Sequence, residues 1–155
     1  AGHIRREHSD LSHELGLLAE FYGPAAAEAG ITLALEPGPP VQAGIDRPLF
    51  QRAVGNLVEN ALKYTPPGGR IALRAGAEPK GATVEVEDNG MGMPEEAQER
   101  VFERFHRADP ARPRSSGGTG LGLAIVKGIM TLHGGSASLE SRIGAGTRVK
   151  LRFPA

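Results

Sequence analysis

Between Asp46 and Tyr64 the sequence repeats its apolar residues at the period of an α-helix and sorts its polar residues onto the other side. At about 100° per residue, Phe50, Val54, Leu57, Val58, Ala61 and Leu62 share one arc, while Asn56, Asn60 and Lys63 share the opposite one. A segment divided in this way must lay its apolar arc on another element, which commits the chain to a layered fold. Asp46 is a good capping residue and Pro48 suits a first turn, and Tyr64-Thr65-Pro66-Pro67-Gly68-Gly69 stops the helix.

The flanking segments supply the other layer. Ile71, Leu73 and Ala75 alternate with polar neighbours, as do Val84 and Val86, predicting two strands around a loose turn at Pro79-Lys80-Gly81. Ile31 to Leu35 reads as a short strand broken by Glu36-Pro37-Gly38-Pro39-Pro40. Ser136 to Glu140 and Thr147 to Phe153 read as two more, the last with Val149, Leu151 and Phe153 on one face and Arg148, Lys150 and Arg152 on the other.

Two further long helices are expected. One lies between Ser9 and Ala29, with Leu11, Leu15, Leu18, Phe21 and Tyr22 at helical spacing and a bend at Gly23-Pro24. The other is nearly all apolar, from Thr119 to Leu132, and ends at His133-Gly134-Gly135. A short charged helix should begin at Pro94, and residues 106–118, rich in Arg, Pro, Ser and Gly, read as a mobile loop. The order predicts an α/β two-layer sandwich, a mixed sheet of about five strands covered on one face by three helices. A single domain over 1–155 fits, its first few residues a linker or tag remnant, because 155 residues suffice for one core.

Composition narrows the chemistry. Eighteen Lys and Arg balance eighteen Asp and Glu, so no overall field draws the domain to nucleic acid. The absence of cysteine excludes thiol catalysis and Cys-based zinc sites. No segment reaches the roughly 20 apolar residues of a membrane span.

Three constellations remain. Asn56, Asn60 and Lys63 form either a solvated helix face or a set of carboxamide oxygens and an ammonium for Mg²⁺ and phosphate. Asp88-Asn89-Gly90-Met91-Gly92 is either a hairpin turn or a strand-end carboxylate beside a close backbone approach. A carboxylate only accepts hydrogen bonds, which suits an exocyclic amine such as that of adenine. Gly117-Gly118-Thr119-Gly120-Leu121-Gly122-Leu123 is either a plain flexible loop or a cradle of amides at a helix start, for which phosphate is the natural guest. It lacks the Gly-Lys-Ser/Thr ending of a P-loop.

Taken in order, these segments resemble the nucleotide-binding domain of sensor histidine kinases, in the superfamily that includes DNA gyrase and the large heat-shock chaperones. The resemblance covers essentially the whole chain. Asn56 to Thr65 is similar to the family's N box, Asp88 to Gly92 to its G1 box, Phe102-Glu103-Arg104-Phe105 to its F box, and Gly118 to Leu123 to its G2 box. The resemblance implies ATP and Mg²⁺ as cofactors. It implies that Asn60 ligands Mg²⁺, that Asn56 and Lys63 act at the phosphates, that Tyr64 lies by the adenine, and that Asp88 receives the adenine amine. Gly90 and Gly92 would give the base room, and Thr147 would support Asp88. Residues 106–118 would be the lid over ATP, with Arg107 as a phosphate contact and Gly118, Thr119, Gly120, Leu121, Gly122 and Leu123 at its far hinge.

The same resemblance implies phosphotransfer to a histidine on a helical dimerisation and phosphoacceptor domain, then to a response regulator. It implies a monomeric isolated domain in the cytoplasm and a homodimeric parent at the inner membrane. Phe50-Gln51-Arg52-Ala53 and Phe102 to Asp109 are also similar to heavy-metal-responsive sensor kinases. Hydrolysing members of the superfamily carry a Glu four residues before the Mg²⁺-binding Asn, where this chain has Asn56, and an amide cannot take a proton from water. A true ATPase and a nucleotide-binding regulatory module without transfer are the alternatives.

Ser12-His13-Glu14-Leu15 mimics the start of a phosphoacceptor motif, but Gly16-Leu17-Leu18 follows where Arg, Thr and Pro belong. It is read as coincidence within the first helix. Glu59, about 100° around the helix from Asn60, is read as solvated.

Overall fold

The computed structural model describes residues 4–93 and 114–154, with the side chains of 114–121 outside that description. The elements are β1 (Glu7–Asp10), α1 (Leu11–Ala29), β2 (Thr32–Leu35), β3 (Gln42–Ile45), α2 (Arg47–Tyr64), β4 (Arg70–Glu78), β5 (Gly81–Asp88), α3 (Arg114–Leu132), β6 (Ser136–Arg142) and β7 (Gly146–Pro154). Five strands form one mixed sheet in the order β2-β4-β5-β7-β6. Only β2 and β4 run parallel; the other neighbours are antiparallel.

The alternation read from the sequence sets the two faces. Leu73, Val86 and Val149 fall in one row across the sheet, and Ala75, Val84 and Leu151 in the next. The buried members of these rows pack with Leu11 and Leu15 of α1, Phe50, Val54 and Val58 of α2, and Val126 and Met130 of α3 in one core. The opposite face carries charge: Arg74 pairs with Glu36, Glu85 and Glu87, and Arg148 with Glu140. The helices therefore cover one face and water the other, as expected of a two-layer sandwich.

Local signals explain the boundaries. The Asp10 carboxylate caps α1 by accepting from the Ser12 and His13 amides at 2.9 and 3.2 Å. Helix α1 runs through Pro24 as one element and ends at Gly30, whose φ of 74° is the left-handed conformation of a helix stop. Asp46 caps α2 through the Leu49 amide at 3.2 Å. The β4–β5 turn is tighter than the expected loose one, with Glu78 facing Gly81 across two residues.

Two further features differ from the sequence expectation. Strands β1 and β3 pair antiparallel as a separate small sheet. Each is four residues long; β1 is polar throughout, and β3 alternates only through Ala43 and Ile45, too short a run to register. Helix α3 begins at Arg114, not Thr119, so 114–118 of the expected loop are helical. Arg114-Ser115-Ser116-Gly117-Gly118 contains no apolar residue, and periodicity had nothing to register there. The short helix expected after Pro94, the Phe102–Phe105 box and Arg107 lie outside the described residues.

A candidate nucleotide site at the end of the central strand

Helix α2 buries Phe50, Ala53, Val54, Leu57, Val58 and Ala61. Asn56 and Asn60 are half-buried and Lys63 is exposed, so the polar arc faces away from the core. Lys63 Nζ lies 5.9 Å from the centre of the Tyr64 ring.

Asp88 ends β5 on the same side of the sheet as Val84 and Val86, because side chains two apart share a face. Its carboxylate is thus delivered to the helical layer where the buried stripe stops. Burial pushes the Asp88 carboxyl above its ordinary range, while hydrogen bonds from the Gly90 and Thr147 amides oppose the shift. The Gly90 amide donates to Asp88 Oδ1 at 2.8 Å. Thr147 sits directly across the ladder from Asp88.

Backbone hydrogen bonds join this strand end to α2. The Met91 amide donates to the carbonyl of Tyr64 at 3.2 Å, and the Gly144 amide to the carbonyl of Met91 at 2.8 Å. The 88–92 turn is therefore clamped between the last turn of α2 and the β6–β7 turn. The structure brings Tyr64, Asp88, Gly90, Gly92 and Thr147 together, and Asn56, Asn60 and Lys63 precede Tyr64 on the polar arc of α2.

The glycines have a different reason from the one expected. A Cβ on Gly90 would overlap the Tyr64 carbonyl oxygen, and one on Gly92, where φ is 74°, would overlap the Arg142 carbonyl. The room each leaves is filled by the protein's own backbone. The Asn89 side chain is likewise used internally, accepting from the Arg70 amide at 2.7 Å.

Thr65, the last residue of the N-box segment, and Ser141, which carried no sequence signal, border the candidate site. Among the described residues, Thr65 Oγ1 is buried with no partner at full hydrogen-bond geometry, though it lies close enough to Asp88 to oppose slightly the rise of that carboxyl. A Cβ built on Gly90 would be 2.9 Å from Asp88 Oδ1 and 3.0 Å from Thr65 Oγ1, so both oxygens border one small space. An acceptor carboxylate with a spare hydroxyl suits a ligand edge that both donates and accepts, such as that of adenine. Ser141 Oγ lies 2.8 Å from Thr147 Oγ1 and accepts from the Met93 amide at 2.8 Å, linking β6, β7 and the 88–92 turn.

The glycine-rich run stands apart from its expected form. Gly118 to Leu123 lie within α3, so their amides belong to helical backbone and not to an open turn at its start. Leu123 is buried in the core. Among the described residues no group of three His, Cys, Asp or Glu side chains could hold a metal ion. A cation here would draw on the Asn60 carboxamide and on ligand oxygens, a set that suits Mg²⁺.

Two bystanders resolve. Glu14, read as part of a mimic motif, is buried and accepts from Arg47 Nε at 3.1 Å and Gln51 Nε2 at 3.2 Å, tying α1 to α2. Glu59 was expected to be solvated; it is exposed, yet accepts from the Tyr22 hydroxyl at 2.7 Å.

A nucleotide-binding sandwich of this kind is a known protein class. Residues 45–155 match the family described as histidine kinase-, DNA gyrase B- and HSP90-like ATPase, and the chain belongs to that family. Over 153 residues it is 39% identical to the sensor protein IrlS of Burkholderia pseudomallei, a match covering 99% of this chain and 32% of that protein. The ATP-binding domain of PrrB from Mycobacterium tuberculosis superposes with a TM-score of 0.76 at 30% identity, covering 97% of this chain and 98% of that one. Full-length ShkA in complex with AMPPNP matches with a TM-score of 0.81 at 30% identity, covering 100% of this chain and 33% of that one. The chain spans about a third of the length of curated relatives such as IrlS. Its fold is that of a histidine kinase catalytic domain.

Proposed function

We propose that this domain binds Mg²⁺·ATP and presents the γ-phosphate to a histidine on a separate dimerisation and phosphoacceptor helical domain, from which it passes to a response-regulator aspartate. The observation that carries the reading is the clamp between Met91 and Tyr64, which sets a half-buried acceptor carboxylate, Asp88, at the C-terminal end of a helix whose polar arc bears two carboxamides and an ammonium.

Asp88 receives the adenine amine, with Thr65 and Thr147 beside it and the Tyr64 ring near the base. Asn60 supplies an oxygen to Mg²⁺, which when bound neutralises phosphate charge. Asn56 and Lys63 orient the phosphates, joined by Arg107 and by amides of Gly118 to Leu123. For those amides to reach phosphate, the first turns of α3 must open, which its four glycines between 117 and 122 favour at about 1 kcal/mol each relative to alanine. Work of this kind is positioning and charge stabilisation.

The true ATPase is disfavoured by one residue. A carboxamide at position 56 cannot accept a proton from an attacking water, so bound ATP is kept for another acceptor. Among the described residues no helix is long and apolar enough to cross a membrane. The domain is read as a cytoplasmic, monomeric part of a homodimeric inner-membrane sensor. Its similarity to heavy-metal-responsive kinases, read from residues 50–53 and 102–109, is supported by its likeness to sensor kinases such as IrlS.

The test is phosphate release by this chain with Mg²⁺·ATP, with binding followed by thermal shift, and then transfer to an added phosphoacceptor hairpin. Binding with negligible release and phosphorylation of the hairpin histidine supports the reading. Steady release without transfer moves the assignment to the ATPase alternative, and binding with neither outcome to a regulatory module.

A further inference from the structure

We propose that His133 is a positioning residue for the nucleotide site, acting through Asp46 at the start of α2. The proposal rests on the reading of α2 and α3 as the helices that hold nucleotide.

His133 is fully buried just past the end of α3. Its Nδ1 lies 2.9 Å from the Ile129 carbonyl and its Nε2 accepts from the Asp46 amide at 3.0 Å, so the ring carries its hydrogen on Nδ1 and both nitrogens are used. Phe153 packs edge-on against the imidazole at 5.5 Å and Phe50 packs on Phe153 at 5.7 Å, which fixes the ring. Asp46 is correspondingly saturated. Its Oδ1 accepts from Leu49, its Oδ2 from the Arg5 amide at 3.1 Å, and its carbonyl from Phe50 at 2.8 Å. Arg6 Nη2 donates to the His133 carbonyl at 2.9 Å, so the entering segment grips the same point.

This joint lies at the far end of both helices from the chemistry. It connects the C-terminal end of α3 to the N-terminus of α2, whereas the glycine run opens α3 and Asn56, Asn60 and Lys63 occupy the later turns of α2. Asn60 lies 14 residues beyond Asp46, roughly 21 Å along the axis, so a tilt of about 5° at the joint moves the ligand end by about 2 Å. Displacements of that size matter to a site that works by placement. A histidine kept only for packing would satisfy its own nitrogens and leave the ligand end indifferent.

The experiment compares His133→Phe with His133→Gln. Phenylalanine keeps the aromatic volume but offers no acceptor to the Asp46 amide, while glutamine can present an oxygen near the position of Nε2. Affinity for Mg²⁺·AMPPNP is measured by calorimetry on the intact chain, with cooperative melting as the fold control. We expect His133→Phe to weaken binding roughly three- to tenfold and His133→Gln to recover most of the loss. A folded His133→Phe chain with unchanged affinity overturns the proposal and leaves the nucleotide reading intact. A wild-type chain that binds no nucleotide overturns that reading itself and the proposal with it. Should His133→Phe not fold, ¹⁵N NMR of the wild type decides: saturation with Mg²⁺·AMPPNP should shift the His133 imidazole and Asp46 amide signals, and unmoved signals overturn the proposal.

Discussion

Asp88 and Thr147 face each other across the β5–β7 ladder, and the Thr147 amide helps hold the Asp88 carboxylate at a strand end where burial opposes its charge. The acceptor of the site is thus held by a strand that arrives about sixty residues later in the chain.

Replacing Asp88 by Asn should separate recognition from folding. The carboxamide keeps one oxygen for the Gly90 amide, so the turn survives. A charged hydrogen bond is worth about 1.5–3 kcal/mol, so adenine-nucleotide affinity should fall roughly ten- to a hundredfold. Calorimetric titration of a variant with an unchanged melting profile checks it; equal affinity would remove Asp88 from the base contact.

The raised Asp88 carboxyl gives a pH dependence with a definite sign. The penalty for its charged form is present in full above its folded-state pKa and is relieved as pH falls through it, so acidification improves this group's contribution to stability. Acceptor power is lost over the same fall. Nucleotide affinity should therefore begin to drop at a higher pH than an ordinary carboxylate would allow, and Asp88→Asn should flatten the profile there. Parallel profiles would assign the titration to another group.

Gly92→Ala and Gly68→Ala should differ although both sites have positive φ, 74° and 89°. A left-handed non-glycine residue costs about 1–2 kcal/mol, and Gly68 has open space around it. At Gly92 the methyl group also displaces the Arg142 carbonyl, so the loss should exceed about 2 kcal/mol and lower the melting temperature by roughly 5–10 °C. Equal losses would show that the clamp between the two turns yields freely.

Glu14→Ala should destabilise the fold by roughly 1–3 kcal/mol. The Glu14 side chain is 4% exposed, but Arg47, at 42%, can turn to water and recover part of the loss. His13 is exposed, and His13→Ala should leave phosphorylation of an added hairpin unchanged. Loss of transfer in a folded His13→Ala chain would make the Ser12–Leu15 mimicry functional after all.

The long elements were legible because each announces its period. Val149, Leu151 and Phe153 alternate, and α2 divides cleanly into two arcs. Strands β1 and β3 were not legible, because Gln42-Ala43-Gly44-Ile45 becomes a strand only through its pairing with Glu7 to Asp10. At the site, Asp88 could be picked out as a carboxylate before a glycine turn. The neighbours that explain Gly90 and Gly92, the Tyr64 and Arg142 carbonyls, are fixed by inter-element register, which a linear sequence does not display. Ser141 escaped notice for the same reason, and the start of α3 because Arg114 to Gly118 offer no apolar residue to count.

Strand β7 comes last in chain order among the strands of the sheet, yet it lies between β5 and β6. A growing chain can form the β4–β5 hairpin early, but it exposes an unpaired β5 edge until Gly146–Pro154 has left the ribosome. The Thr147 support for Asp88 comes with that final strand. A chain cut before β7 therefore has an open β5 edge, a substrate for chaperones and proteases, and lacks the Thr147 support that holds the Asp88 carboxylate.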